Sequence, residues 1–226
     1  YHKRMSGVRP NTFKIAQLNA ENLFLFLDET ADRDWRKLPE KEWQKLSHAS
    51  VPNKSLLKTL WLADSLTAID ADIVFMSEVG GEESLRNFAK FFLKGAYTPH
   101  LIEGNSDRGI DIGYLVRKDF GYRVDLRSYK NRPLKFNYPH EIGTPSPRTH
   151  YFSRDCSELR VFKEGATTPA LVCLSVHLKS KLDPDGIDPE VKDRRTAELG
   201  ALVEIYNDVR GEFSPKVPVI IAGDFN

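Results

Sequence analysis

The chain has 226 residues, with 33 Lys and Arg against 32 Asp and Glu, so its formal net charge is +1. With 40% hydrophobic and 29% charged residues it has the make-up of an ordinary globular protein, which excludes a disordered, collagen-like or disulfide-scaffold chain. A chain of this length buries roughly 70–75% of its unfolded surface, and no linker composition divides it, so residues 1–226 read as a single domain. The balanced charge argues against binding nucleic acid by bulk charge alone.

The start, Tyr1-His2-Lys3-Arg4-Met5, has no apolar stretch behind its basic residues, so no signal peptide is visible. A chain beginning with Tyr is expected to have been cut, tagged or excerpted, which leaves its compartment open. No apolar run approaches the roughly 18–20 residues of a membrane helix, so a soluble protein is expected. Residues 13–18 alternate apolar with polar and predict a half-buried strand ending at Asn19. The charged segment 28–50 carries Trp35 and Trp43, and Pro39-Glu40-Lys41-Glu42 reads as a short helix with Pro at N1. Leu56, Leu57, Leu60, Ala63, Leu66 and Ile69 recur at helical spacing, predicting an amphipathic helix over 54–69. Ile73-Val74-Phe75-Met76 is a short continuous apolar run of the kind found in strands buried on both faces. A helix over 82–93 follows, then strands over 97–102, 110–117, 122–129, 158–162 and 170–176. Between the third and fourth of these lies a loop, 130–150, rich in Pro, Asn and His. Cys156 and Cys173 are too few for a framework and are expected as buried free thiols. A long helix over 190–210 and a strand over 217–222 close the chain. The sum is an α/β domain with two sheets and helices outside, whose strand order periodicity does not give.

Polar residues stand where the apolar strands stop. Asn19 follows the first strand, Glu78 the Ile73–Met76 run, His177 the run ending at Val176, and Asp224 and Asn226 the last strand. In α/β sheets such positions line ligand crevices. Side chains at i and i+2 of an extended segment share a face, so Asp224 with Asn226, and His177 with Lys179, can address one ligand. Glu78 and Asp224 are the oxygen donors that Mg²⁺ prefers, the ion taking one or two carboxylates and filling its other positions with water and phosphate. Motifs of zinc hydrolases, P-loop NTPases and serine hydrolases are absent from the sequence.

With these residues in place, the sequence resembles the endonuclease/exonuclease/phosphatase superfamily, whose fold is that of DNase I. The resemblance runs over 13–226. Leu18-Asn19-Ala20-Glu21-Asn22-Leu23 looks like the family's Asn-x-x-Asn-Leu opening, and Asp72-Ile73-Val74-Phe75-Met76-Ser77-Glu78-Val79 like its Asp-Ile-x-x-x-Gln-Glu-Val segment. Arg108-Gly109-Ile110-Asp111, Ser153-Arg154-Asp155, His177-Leu178-Lys179-Ser180 and Gly223-Asp224-Phe225-Asn226 resemble four further blocks, in family order. The resemblance implies a four-layer sandwich, two mixed β-sheets face to face with helices on both outer faces. It also implies Mg²⁺- or Mn²⁺-dependent hydrolysis of a phosphate ester by water. By the same resemblance Glu78 is the principal metal ligand and Asn19 helps to organise metal and phosphate. Asp224 orients the water or carries its proton, also facing the metal; Asn226 binds a phosphoryl oxygen, and His177 and Arg154 stabilise charge on phosphorus. Asp111 and Lys179 are weaker candidates for substrate contact.

The chain departs from the pattern at three points. Ser77 stands where many members have Gln, and 28–50 is an insertion whose Trp35 and Trp43 are read as packing rather than base stacking. The family's closing Asp-His pair has no counterpart before Asn226, which leads to the expectation of a C-terminally incomplete domain excerpted from a longer protein. The expected activity is that of a metal-dependent phosphodiester hydrolase, a nuclease with a nucleic-acid substrate. The alternatives are a phosphatase or phosphodiesterase on a small molecule or lipid headgroup, and a non-catalytic phosphate binder. Lys130, Arg132, Lys135 and Arg148 offer a local basic patch, with a solvated loop as the plainer reading. Arg194, Arg195 and Glu198 are assigned to a solvated helix face, paired at i,i+3 and i,i+4 for about a few tenths of a kcal/mol. No protein partner is inferable.

Overall fold

A computed structural model describes residues 12–28, 34–181 and 186–226. The basic start of the chain and part of the 28–50 segment lie outside them. Eight strands form two sheets. The first, in the order β1-β2-β4-β3, comprises β1 (Ile15–Leu23), β2 (Ile73–Val79), β3 (Tyr97–Leu101) and β4 (Asp111–Arg117). The second runs β5-β6-β7-β8, from β5 (Arg123–Ser128) and β6 (Cys156–Phe162) to β7 (Leu171–His177) and β8 (Val219–Asp224). Each sheet is mixed: β1 and β2 are parallel, as are β7 and β8, and the other pairs are antiparallel. A parallel pair needs a long crossover. Helices α1 (Glu40–Gln44) and α2 (Leu56–Ile69) lie in the first crossover, and α4 (Lys192–Glu212) supplies the second; the short α3 (Gly81–Asn87) follows β2.

Side chains alternate between the faces of each central strand, and the apolar runs are explained by burial on both. Ile73 and Phe75 of β2, Tyr114 and Val116 of β4, Leu159 and Val161 of β6, and Leu171 and Cys173 of β7 meet between the sheets. Val74, Met76 and Leu115 face α2 and α3 on one outer side, while Val172, Leu174 and Val176 face α4 on the other. The layers are therefore helix, sheet, sheet, helix: the four-layer α/β sandwich implied by the sequence. The hydroxyl of Tyr114 crosses the middle of it, donating to the carbonyls of Ser157 at 2.9 Å and Cys173 at 3.2 Å. Cys156 and Cys173 are free and buried. They cannot bridge, because Cys156 pairs opposite Val176 rather than Cys173 and faces α4 while Cys173 faces the other sheet.

Several local expectations are refined. Pro39 is the N-cap of α1 rather than its N1 residue. Helix α2 starts at Leu56, capped by Ser55, whose side chain accepts from the Lys58 N–H at 3.3 Å. The predicted helix over 82–93 is α3 followed by a π-helical turn at Phe88–Phe92. Trp43 is fully buried and Trp35 nearly so; both pack on Phe92, and the Trp43 indole donates to the Lys54 carbonyl at 2.9 Å. The insertion's tryptophans are core residues. Among the described residues no helix is long and apolar enough to cross a membrane.

Candidate active site

Both sheets change conformation where the polar residues begin. Between Asn19 and Leu23, four steps of β1 run against two steps of β2, from Ser77 to Val79, and Glu21 and Asn22 take left-handed φ of +50° and +56°. On its other side β2 shifts against β4 between Met76 and Val79, with Glu78 at φ +57°. Bulges of this kind re-aim a side chain at the cost of strain, which clusters at functional sites. In the second sheet Gly223 has φ +147°, and a Cβ there would lie 2.0 Å from the Val176 carbonyl oxygen. Only glycine lets β8 run this close to β7, which sets Asp224 directly beside His177.

One hydrogen bond joins the two sheets at this end. The Asn19 side-chain amide donates to Asp224 Oδ2 at 2.9 Å, while its carbonyl accepts from the Glu21 N–H at 2.8 Å. The other Asp224 oxygen accepts the Asn226 N–H at 3.0 Å, and the Asn226 side chain donates to the Leu178 carbonyl at 2.9 Å. Burial raises the Asp224 carboxyl, but the two amide donors and the nearby His177 and Arg154 outweigh it and hold it below its ordinary value. Glu78 Oε2 accepts the Asn22 N–H at 3.1 Å; Oε1 has no hydrogen bond among the described residues.

The cationic side of the cluster comes from the second sheet. Arg154 is only 5% exposed, yet it donates to neutral oxygens alone, Ser153 Oγ at 3.4 Å and the Leu178 carbonyl at 3.2 Å. Burial lowers its pKa, while Glu198, Glu78 and Asp224 pull it up and Arg108 pushes it down. His177 is buried, with Nδ1 lacking a partner. Burial, and then Arg154, push it down to about 4 against the pull of Asp224 and Glu78, so the ring is neutral at pH 7. Asn19, Glu78, Arg154, His177, Asp224 and Asn226 thus meet at one end of the sandwich.

Asp111 does not join them. Burial raises its carboxyl, and Oδ1 accepts the Gly104 N–H at 2.7 Å, holding a turn in which the Asn105 N–H reaches the Arg154 carbonyl at 2.7 Å. Its place is behind Arg154, as support. Lys179 flanks the cluster, its backbone N–H bound to Glu198 Oε2 at 2.7 Å.

Glu198 is the clearest correction. It is fully buried, and its two oxygens accept the N–H groups of Ser153 and Lys179, each at 2.7 Å. It clips together the segments that carry Arg154 and His177. Arg194 does pair with it at 3.5 Å, but also donates to His150 and to the Tyr151 carbonyl instead of standing on a solvated face. The signal was available, since Glu198 leads the buried series Ala201, Leu202, Ile205 and Val209 along α4. Two further contributors stood inside the quoted motifs without being singled out: Asn22, and Arg108, which donates to Asn22 Oδ1 at 2.9 Å. Of the basic patch, Arg132 and Lys135 pair with Glu204 and Asp208, and Lys130 donates to the Glu103 carbonyl, which leaves Arg148.

Among the described residues no three His, Cys, Asp or Glu side chains are grouped to hold a metal by themselves. The donor set still suits Mg²⁺ or Mn²⁺, which bind through one or two carboxylates and keep the rest of their shell for water and phosphate. Glu78 has a free carboxylate oxygen for that purpose.

No protein-family model and no curated protein matches the chain. Solved structures do. A Bacteroides thetaiotaomicron protein of the endonuclease/exonuclease/phosphatase family is 18% identical over 74% of this chain and 53% of its own, with a TM-score of 0.49. TDP2 from C. elegans is 19% identical over 76% and 43%, with a TM-score of 0.48. A mannosyl-6-phosphatase of Bacteroides thetaiotaomicron is 17% identical over 74% and 56%, also at 0.48. The chain spans about half the length of these structures.

Proposed function

We propose that this protein hydrolyses phosphodiesters by attack of water, with a divalent metal ion, Mg²⁺ or Mn²⁺, and that its substrate is nucleic acid. The observation that carries the reading is the meeting of two sheets through the Asn19–Asp224 bond, which faces Glu78 with the buried, unpaired Arg154 and the neutral His177. When bound, the metal supplies charge neutralisation at the phosphate and a more acidic water. Glu78 and Asn19 would hold the ion, with Asp224 beside them. Asp224, kept ionised by its amide donors, orients the attacking water and accepts its proton. Arg154 and His177 Nε2 donate to the phosphoryl oxygens as negative charge builds, and the second N–H of the Asn226 amide is available for the same purpose. The donors are already in place and largely dry, so little reorganisation accompanies the reaction. The formal charge of +1 favours a second reading, a small phosphoester as substrate.

The test is hydrolysis of bis(p-nitrophenyl) phosphate by the purified protein with Mg²⁺ or Mn²⁺ and with EDTA. Turnover that EDTA abolishes, and that Glu78→Gln reduces on the order of a hundredfold or more, is the expected result. Wild-type rates in a folded Glu78→Gln protein would overturn the metal assignment. No turnover with either ion would leave a phosphate-binding protein.

A further inference from the structure

Beside the cluster lies a pocket of about 430 Å³, walled by the loop ahead of β6, the turn at 105–108 and the start of α4. Its charge is lopsided. Arg108 and Arg154 reach it from the cluster, and Lys179 and Arg148 add two cations whose side chains have no hydrogen bond or ion pair among the described residues. Five cations line it in all; Arg194 is matched by Glu198, and of the two acids in the lining Glu141 is consumed by His150 at 2.7 Å and by the Tyr138 N–H at 2.8 Å, which leaves Asp107 opposite the other four.

The pocket also offers aromatic faces. Tyr151 is 39% exposed and touches no other ring among the described residues. His140 stands exposed, stacked on Tyr138 at 5.7 Å and 10°. Behind these groups the wall is braced. His150 donates to Glu141 through Nε2 and accepts from Arg194 at Nδ1, 2.8 Å away, while Asn137 donates to the Arg148 carbonyl at 3.0 Å. The cavity is therefore formed in advance, and its size falls within the about 300–1,000 Å³ of small-molecule sites.

Unpaired cations beside free aromatic faces recognise a group that is both anionic and planar. Building on the hydrolase reading, we propose that this pocket seats a single nucleotide unit adjoining the phosphate to be cleaved. Tyr151 stacks on the base, and Arg148 and Lys179 hold the flanking phosphate. A pocket of this volume has room for one unstacked nucleotide, whose base must leave its pair to reach Tyr151, so the substrate we infer is a single strand or a dinucleotide-scale ester. This would also reconcile nucleic-acid chemistry with near-neutral net charge, since few phosphates need to be contacted at once.

The experiment is fluorescence anisotropy in EDTA, so that nothing turns over, with a labelled single-stranded octathymidylate and an unlabelled duplex as competitor. Tyr151→Ala is expected to weaken strand binding about fivefold to a hundredfold. Arg148→Ala is expected to flatten the dependence of log affinity on log salt by about one phosphate contact. Trp61→Ala, exposed on α2, controls for surface substitution. Wild-type affinity in both pocket variants, a wild-type protein that binds no strand, or a duplex that competes as well as the strand would each overturn the proposal. Turnover of bis(p-nitrophenyl) phosphate is scored separately, so failure of the pocket and failure of the hydrolase reading give different results.

Discussion

Arg154 and Arg160 are equally buried, each 5% exposed, and lie just before and within β6, but their surroundings are opposite. Arg160 pairs with Glu158 on the same face of the strand, sits 2.7 Å from Glu212, and lies over the Phe213 ring at 4.8 Å. Glu158, with no exposure, also takes the Tyr129 hydroxyl. At the other end of the segment Arg154 touches only neutral oxygens. Asp155 beside it has a buried Oδ2 without a partner, and burial pushes its carboxyl up to about 7. A buried ion costs several kcal/mol unless it is compensated. One end of the segment compensates its charges from within; the other leaves the Arg154 cation for a bound anion.

Four substitutions would break or sharpen this contrast. Arg160→Met strands Glu158 in the core and should lower the unfolding free energy by about 3–5 kcal/mol, read by urea titration, with activity per folded molecule retained. A loss below about 1 kcal/mol would mean that the paired end is not structural. Arg154→Met should do the reverse. Hydrolysis falls about 10²–10³-fold while the melting temperature holds or rises, and a melting temperature lowered by several degrees would erase the difference between the two arginines.

Asp155→Asn tests the half-satisfied acid, whose Oδ1 accepts the Tyr129 N–H at 3.0 Å while Oδ2 has no partner. Its folded pKa is raised, so between about pH 4 and pH 7 the native state keeps a proton that the unfolded chain has released, and stability declines as pH rises through that window. The asparagine variant lacks this slope, so its stability relative to wild type should climb from pH 4 to pH 7 and then level off. Parallel curves would contradict the assignment. Lys135→Ala gives the smallest effect: its pair with Glu204 has the lysine 83% exposed, and the loss should stay below about 1 kcal/mol in thermal melts.

The sequence revealed the cluster because each apolar run stops at a polar residue and the runs lie in a recognisable order. Glu78, His177 and Asp224 could be read that way. The strand order could not, because parallel pairing of β7 with β8 depends on a glycine whose close approach is a three-dimensional fact. Trp35 and Trp43 were legible as packing from the amphipathic segment that carries them. Glu198 was misread because a carboxylate on a charged helix resembles a solvated one until its two backbone donors are known. The pocket wall over 138–151 was illegible for a related reason: it is built by contacts among Glu141, His150 and Arg194, residues with no periodic pattern.

The placement of the two cysteines has a practical consequence. Both thiols are sealed in, one under α4 and one between the sheets, and burial pushes Cys173 up to about 12 and Cys156 well above its ordinary value. A thiol reagent attacks the thiolate, so neither sulfur should react until its own layer parts. Cys156 then reports departure of the helix and Cys173 separation of the sheets. With each cysteine replaced in turn, the labelling rates become two clocks that time the opening of different layers of the same sandwich.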